Sequence, residues 1–218
     1  MPVLRRLGLP RRVAAPGLTD GPAGSVARVP ATTTESRARL ARLLTDHALI
    51  RESVVLSSGK RSSYYFDARQ VLLDPEGAAL AGELAYAELA PARPRAVGGL
   101  TLGADPLVCA VSAHAWARGE RWTGFFVRKE AKRHGLQNWI EGPFIEEGTP
   151  VAVVDDVLTS GGSLLTAVEK ARQAGGVVVA ALVVIDRQEG GRERVEQALD
   201  GAPLVALFTQ AELGAPAA

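Results

Sequence analysis

The sequence predicts an α/β domain, a central parallel sheet flanked by helices, and three observations predict it. Val151 to Val154 and Val177 to Ile185 are uncharged, mostly branched runs of strand length, the composition of parallel strands covered on both faces. Between them Leu164, Leu165, Ala167, Val168 and Ala171 recur at helical spacing and Gly175 offers a C-terminal stop, so the three segments read as one βαβ unit. At 218 residues and 47% hydrophobic content, the chain can fill one such domain and is short for two.

Taken in order, residues 1–34 are rich in Arg, Pro, Gly and Ala, hold no aromatic and show no periodicity, which predicts a disordered tail. The tail lacks the apolar core of a secretory signal. Arg5, Arg6, Arg11, Arg12 and Arg28 face only Asp20 there, leaving room for an anion-binding arm, with an upstream start codon as the duller account. The domain, residues 35–218, opens near a capping-box pattern from Thr32 to Glu35, ahead of a helix with Leu40, Leu43 and Leu44 on one face. Tyr64, Tyr65 and Phe66 have strand propensity. Asp74-Pro-Glu-Gly starts a helix carrying Leu80, Leu84 and Leu89, which Pro91 and Pro94 stop. Ala96 and Val97 lead as a strand into the glycine-rich stretch Gly98 to Pro106, and a last strand from Ala181 ends in Asp186 and Arg187. There is no internal repeat.

The chemistry concentrates where the strand from Val151 runs out. Asp155 and Asp156 stand at its carboxyl end, the edge on which open α/β sheets place ligands. Thr159, Ser160, Gly161, Gly162 and Ser163 are small or hydroxylated, so backbone N–H groups can close around an anion at a helix N-terminus. Two carboxylates alone would repel phosphate; beside an anion cradle they suit a ligand that also has vicinal hydroxyls, a divalent metal, or both. A phosphorylated ribose has that chemistry.

This segment, Asp155 to Ser163 with Val157 and Leu158 inside it, resembles the phosphoribosyl-diphosphate signature of the type I phosphoribosyltransferases. Three further segments resemble orotate phosphoribosyltransferases. Arg128-Lys-Glu-Ala-Lys-Arg-His-Gly135 is similar to that family's catalytic loop, Arg-Lys-x-x-Lys-x-His-Gly, with every fixed position filled. The resemblance implies that Arg128, Lys129, Lys132 and His134 bind the donor and neutralise its departing diphosphate, across a homodimer interface. Leu56 to Arg69 holds Tyr65 and Phe66, which resemble the aromatic pair against the orotate ring. Gly98 to Pro106 resembles the pyrophosphate loop, whose amides need close backbone approach. In two places a lysine of some relatives is missing: Ser57 and Gly103 stand there, with Lys60 or Arg61 as candidates to take over the first contact. By the same resemblance Arg187 takes the orotate carboxylate and Thr159 a second contact to that substrate.

What the resemblance implies is therefore a type I phosphoribosyltransferase fold with a small N-terminal hood. The expected reaction is 5-phosphoribosyl 1-diphosphate plus orotate giving orotidine 5′-phosphate and diphosphate, in pyrimidine (UMP) biosynthesis. Mg²⁺ is the implied cofactor, carried on the donor, with Asp155 and Asp156 as the candidate protein ligands; Lys132, His134 and Asp156 are the expected catalytic residues. A purine phosphoribosyltransferase shares the ribose-phosphate loop without needing the basic loop or Tyr-Tyr-Phe. A nucleic-acid-binding regulator of the same fold needs a basic face or an added domain, and a net charge of +1 offers no such footprint. Cys109 is single, which excludes an internal disulfide and suits a cytoplasmic enzyme. No run of about 18 apolar residues suggests a membrane span, and His47, His114 and His134 share no zinc-ligand spacing.

Overall fold

The structure is a computed structural model that describes residues 33–50, 54–55, 61–62, 64–130, 139–143 and 145–214, with backbone alone at 54–55 and 61–62. Most of the expected tail, together with Ser57, Lys60, Lys132 and His134, lies outside the described residues, as does the side chain of Arg61.

Helix α1 (Thr33–Leu43) continues into a π-helical turn, Leu44–Ala48, and buries Leu40 and Leu44. Four short strands follow as two antiparallel pairs, β1 (Leu49–Ile50) with β4 (Tyr65–Phe66) and β2 (Val54–Val55) with β3 (Arg61–Ser62). After the short α2 (Arg69–Leu72), Asp74 caps α3 (Pro75–Leu89). Its carboxylate accepts from the Glu76 and Gly77 amides at 2.9 and 3.3 Å, and Pro75 fills the first helical position, where no N–H is needed. Leu80, Leu84 and Leu89 are buried, and the helix gives way at Pro91 to a 3₁₀ turn.

The remaining elements are β5 (Ala96–Leu100), α4 (Asp105–Ala117), β6 (Thr123–Val127), β7 (Ile140–Glu141), β8 (Pro150–Leu158), α5 (Gly162–Gln173), β9 (Val177–Asp186), α6 (Gly191–Leu199) and β10 (Leu204–Thr209). They form a six-stranded sheet in the order β10-β9-β8-β5-β6-β7, parallel except for the edge strand β7, which returns antiparallel to β6. Alternate residues of β8 feed two apolar layers. Ala152 and Val154 meet Leu40, Leu80 and Leu107 on the α1–α3–α4 side; Val151 and Val153 meet Leu164 and Val195 on the α5–α6 side. The strand is thus covered on both faces, as its uninterrupted apolar run requires.

Two differences from the sequence reading matter for the site. Strand β8 runs to Leu158 rather than ending at Val154, because β9 extends far enough to pair Asp155↔Val183, Val157↔Ile185 and Leu158↔Asp186. The carboxylates therefore belong to the ladder's last turns rather than to a loop beyond it. Helix α5 starts at Gly162, one residue before the expected Ser163. No helix among the described residues is long and apolar enough to cross a membrane.

Candidate active site

Strands β5 and β8 are neighbours, but β5 connects onward to β6 on one side and β8 to β9 on the other. That reversal opens a crevice beyond their carboxyl ends, and both small-residue loops lie there. The loop after β5 is fastened at its ends: the Thr101 amide donates to Val127 O at 2.9 Å, and Thr101 Oγ1 donates to Asp105 Oδ2 at 2.6 Å, tying it to the start of α4. The loop after β8 turns through Gly161, whose φ of +82° is the left-handed conformation that a side chain would strain. It ends at the N-terminus of α5, whose first amides lack intrahelical acceptors and can receive an anion. Leu158 turns its side chain into the core, whereas Ser160, Gly162 and Ser163 are exposed and Val157 and Thr159 half-buried.

Asp155 and Asp156 stand where these loops converge. The Asp155 carboxylate accepts from the Asp156 amide at 3.0 Å, and Asp156 Oδ1 from the Val157 amide at 2.8 Å. Burial, reinforced by the charge of Asp156, pushes the Asp155 carboxyl well above the usual range. Burial also raises Asp156, against the opposing pull of the Val157 amide and the Arg69 charge. Gly103 presses on the pair from the β5 loop: a Cβ there would sit 2.7 Å from Asp156 Oδ1, so this position has no room for a longer side chain unless the carboxylate moves.

The pair is the natural place for a divalent ion. No cluster of three or more His, Cys, Asp or Glu residues occurs among the described residues, so the chain does not provide a full coordination shell there. Two adjacent hard oxygen donors destabilised by burial and mutual repulsion do fit Mg²⁺, which typically takes one or two carboxylates and completes its shell with phosphate oxygens and water.

On the hood side the aromatic trio divides. Phe66 is 1% exposed and packs in the core, Tyr64 is also buried and touches Phe66 edge-on at 5.9 Å, and Tyr65 is half-buried. The Arg187 guanidinium lies over the Tyr64 ring at 4.8 Å and pairs with Glu189 at 2.7 Å, with 2% of its side chain exposed. Tyr64 donates in turn to Gln210. Asp186 fixes the turn after β9 by accepting from the Gln188 amide and from Arg192 Nε, each at 2.8 Å. The trio's burial pattern is visible only in three dimensions, since three consecutive aromatics carry no sign of which one a helix will cover.

The basic segment leaves β6 at Arg128 and returns at Trp139, and the Arg128 amide donates to Trp139 O at 2.9 Å. Arg128 also holds Glu141 at 2.6 Å, while Lys170 of α5 sits 4.3 Å over the Trp139 ring. A cavity of about 380 Å³ opens between Thr101 on one wall and Arg128, Lys129 and Glu141 on the other. Arg128 and Lys129 are thereby placed beside the β5 loop. Sequence reading missed Glu141 and Arg69; Arg69 closes the quoted Leu56–Arg69 segment, but no pattern marked it.

Comparison with known proteins agrees with this geometry. Orotate phosphoribosyltransferase of Streptomyces coelicolor is 44% identical over 181 residues, covering 83% of this chain and 98% of the relative. The structure of Mycobacterium tuberculosis orotate phosphoribosyltransferase in complex with Fe(III) dicitrate matches with a TM-score of 0.73 and 40% identity, over 82% of this chain and 99% of that one. The same enzyme in complex with 5-phospho-α-D-ribosyl 1-diphosphate gives 0.69 and 37%, over 82% and 99%. No protein-family model matches the chain. An aspartate pair at the switch point, a small-residue loop on a helix N-terminus and this degree of identity across nearly the full length of its relatives lead to one conclusion: the chain belongs to the orotate phosphoribosyltransferase family.

Proposed function

We propose that this protein transfers the 5-phosphoribosyl group of 5-phosphoribosyl 1-diphosphate to orotate, releasing diphosphate, in the cytoplasm. The observation that carries this reading is the convergence of Asp155, Asp156 and the Thr159–Ser163 turn with the Gly98–Ala104 loop at the β5/β8 switch point, in a member of this family. The 5-phosphate sits on the amides and hydroxyls of Thr159 to Ser163, and Asp156 with Asp155 takes the ribose hydroxyls. Bound Mg²⁺, held by these carboxylates and the donor, adds positive charge against the diphosphate.

In the reaction an orotate ring nitrogen forms a bond to the anomeric carbon as the carbon–oxygen bond to diphosphate breaks. Positive charge grows on the ribose ring, close to Asp156, and negative charge on the leaving group. Arg128, Lys129, Lys132 and His134 neutralise the latter. Arg128 gives up Glu141 to do so, at small cost, because a half-exposed pair contributes at most about 1 kcal/mol. Tyr65 with Phe66 behind it forms the wall for the orotate ring, Thr159 contacts the substrate, and Arg187 presents a planar fork to its carboxylate. The active unit is a homodimer in which the Arg128–His134 loop serves the neighbouring site. Loss of orotate absorbance on adding donor and Mg²⁺, with adenine, hypoxanthine and uracil as controls, tests the assignment. Turnover of a purine base but not orotate would replace it.

A further inference from the structure

The wall of the crevice between β4 and the β5 loop carries a charge that the reading above leaves unused. Arg69 begins α2, just after β4, and Asp67 fixes it by a 2.8 Å bond to Nε. The two Nη atoms have no hydrogen-bond partner among the described residues, and the side chain is 41% exposed. Its charge acts on Asp156 and on Tyr65, so the guanidinium lies along the edge where the ribose carboxylate and the aromatic wall meet. Across that edge Gly103 abuts the Asp156 carboxylate and projects no side chain of its own.

The other cations around the crevice are engaged elsewhere. Arg128 holds Glu141 on the far wall of the β5 loop, and Arg187 lies on Tyr64 against Glu189. A donor bound with its ribose on Asp156 directs its diphosphate past the amides of the Thr101–Ala104 loop. At Gly103, the point on that loop nearest Asp156, only backbone is available. An arginine anchored through Nε keeps its two Nη groups as a fork for neighbouring phosphate oxygens, and an anchored fork loses less side-chain entropy on binding than a free one.

We infer that Arg69 is a donor-binding residue, its Nη groups contacting the diphosphate of 5-phosphoribosyl 1-diphosphate, with Asp67 as the positioning residue that aims it. The Arg69–Asp67 pair, placed on the edge that Gly103 leaves without a side chain, supplies the phosphate-binding charge of that wall. This inference rests on the proposed reaction for its substrate. It rests on the geometry alone for its affinity toward diphosphate.

Kinetics and direct binding separate those two layers. In the full-length chain with Mg²⁺, Arg69→Ala should raise the KM for the donor and the Kd for inorganic pyrophosphate by about tenfold or more, the loss expected of a charge-assisted contact. The orotate KM should stay within about twofold and the melting temperature within about 2 °C, as for a half-exposed side chain outside the core. Arg69→Lys should recover part of the pyrophosphate affinity, and Asp67→Asn should weaken it less than Arg69→Ala does. If the wild-type chain turns over no orotate, the proposed reaction fails while the pyrophosphate titration still tests Arg69. Unchanged pyrophosphate affinity in Arg69→Ala, or equal losses toward pyrophosphate and orotate with a fall in melting temperature, would overturn the assignment.

Discussion

The crevice has two sides of different construction. The ribose-phosphate side hangs from β5 and β8, which pair through Ala96↔Val151, Val97↔Ala152 and Gly98↔Val153 in the middle of the sheet. The covering side rests on strands of two residues, β1 against β4 through Leu49↔Phe66 and Ile50↔Tyr65 alone, and on the Arg128–Glu141 return at the sheet edge. Groups that hold the donor in its ground state are thus mounted on the core, whereas those that meet the base and the leaving group are mounted on its margin. In the proposed reaction the margin acts on charge that appears only as bonds break, and the core acts on charge that is present throughout.

If that division is right, altering the margin should damage turnover more than binding. Lys132→Ala should lower kcat by about a thousandfold, the upper range for losing one preorganised charge, with orotate KM little changed. Equal turnover in variant and wild type would remove the basic segment from catalysis. Mixing Lys132→Ala with Asp156→Asn chains should restore about a quarter of wild-type activity, since random exchange makes half the dimers hybrid and each hybrid has one intact site. Hybrids that form and stay inactive would place the segment in its own subunit's site.

Arg187→Ala comes next. The orotate KM should rise about 10- to 100-fold with donor KM unchanged, because one substrate carboxylate loses a charged, two-pronged partner. Parallel damage to both substrates would instead assign Arg187 to holding Tyr64 and Glu189 together.

The core side yields a smaller effect of opposite sign. Asp155 is raised well above an ordinary carboxyl by burial and by Asp156, so its folded value lies above its unfolded one. Such a group contributes stability below the unfolded value and loses it as pH climbs through the folded one. Asp155→Asn should therefore abolish turnover yet melt about 2 to 4 °C above wild type near neutrality, and the gap should close toward about pH 4. A variant that melts lower at pH 7 would show the carboxylate to be structurally required.

The smallest effect is expected at the N-terminus. Residues 1–31 offer no aromatic and little periodic apolar surface to offset an ordering cost of about 1 to 2 kcal/mol per residue. A chain starting at Thr32 should keep its melting temperature and its turnover. A drop in donor kcat/KM that vanishes with salt would instead mark the arginines as a steering arm.

The core side of the molecule was legible in the sequence, and the margin much less so. Val151 to Val154, the α5 spacing and the Asp74 cap announce themselves because each is a local pattern with one physical cause. The extension of β8 to Leu158 was not legible, since it depends on where β9 stops. Nor was the division of Tyr64, Tyr65 and Phe66 between core and crevice, which is decided by α1 and by Gln210, residues distant in the chain. Arg69 and Glu141 look like ordinary surface charges until the fold brings Asp67 and Asp156 to one and Arg128 to the other.

The bond from the Arg128 amide to Trp139 O, backed by Glu141 and Lys170, closes the two ends of the basic segment on each other. A segment closed at its neck is decoupled from the sheet in evolutionary terms. Each doubling of its length costs the fold only roughly 0.6 kcal/mol in closure entropy, so the reach of the segment can be lengthened or shortened almost independently of stability. Grafting and insertion between positions 131 and 138 are accordingly the changes this fold should accept most readily, and a place where descendants of one scaffold can diverge in how far they extend toward a neighbour.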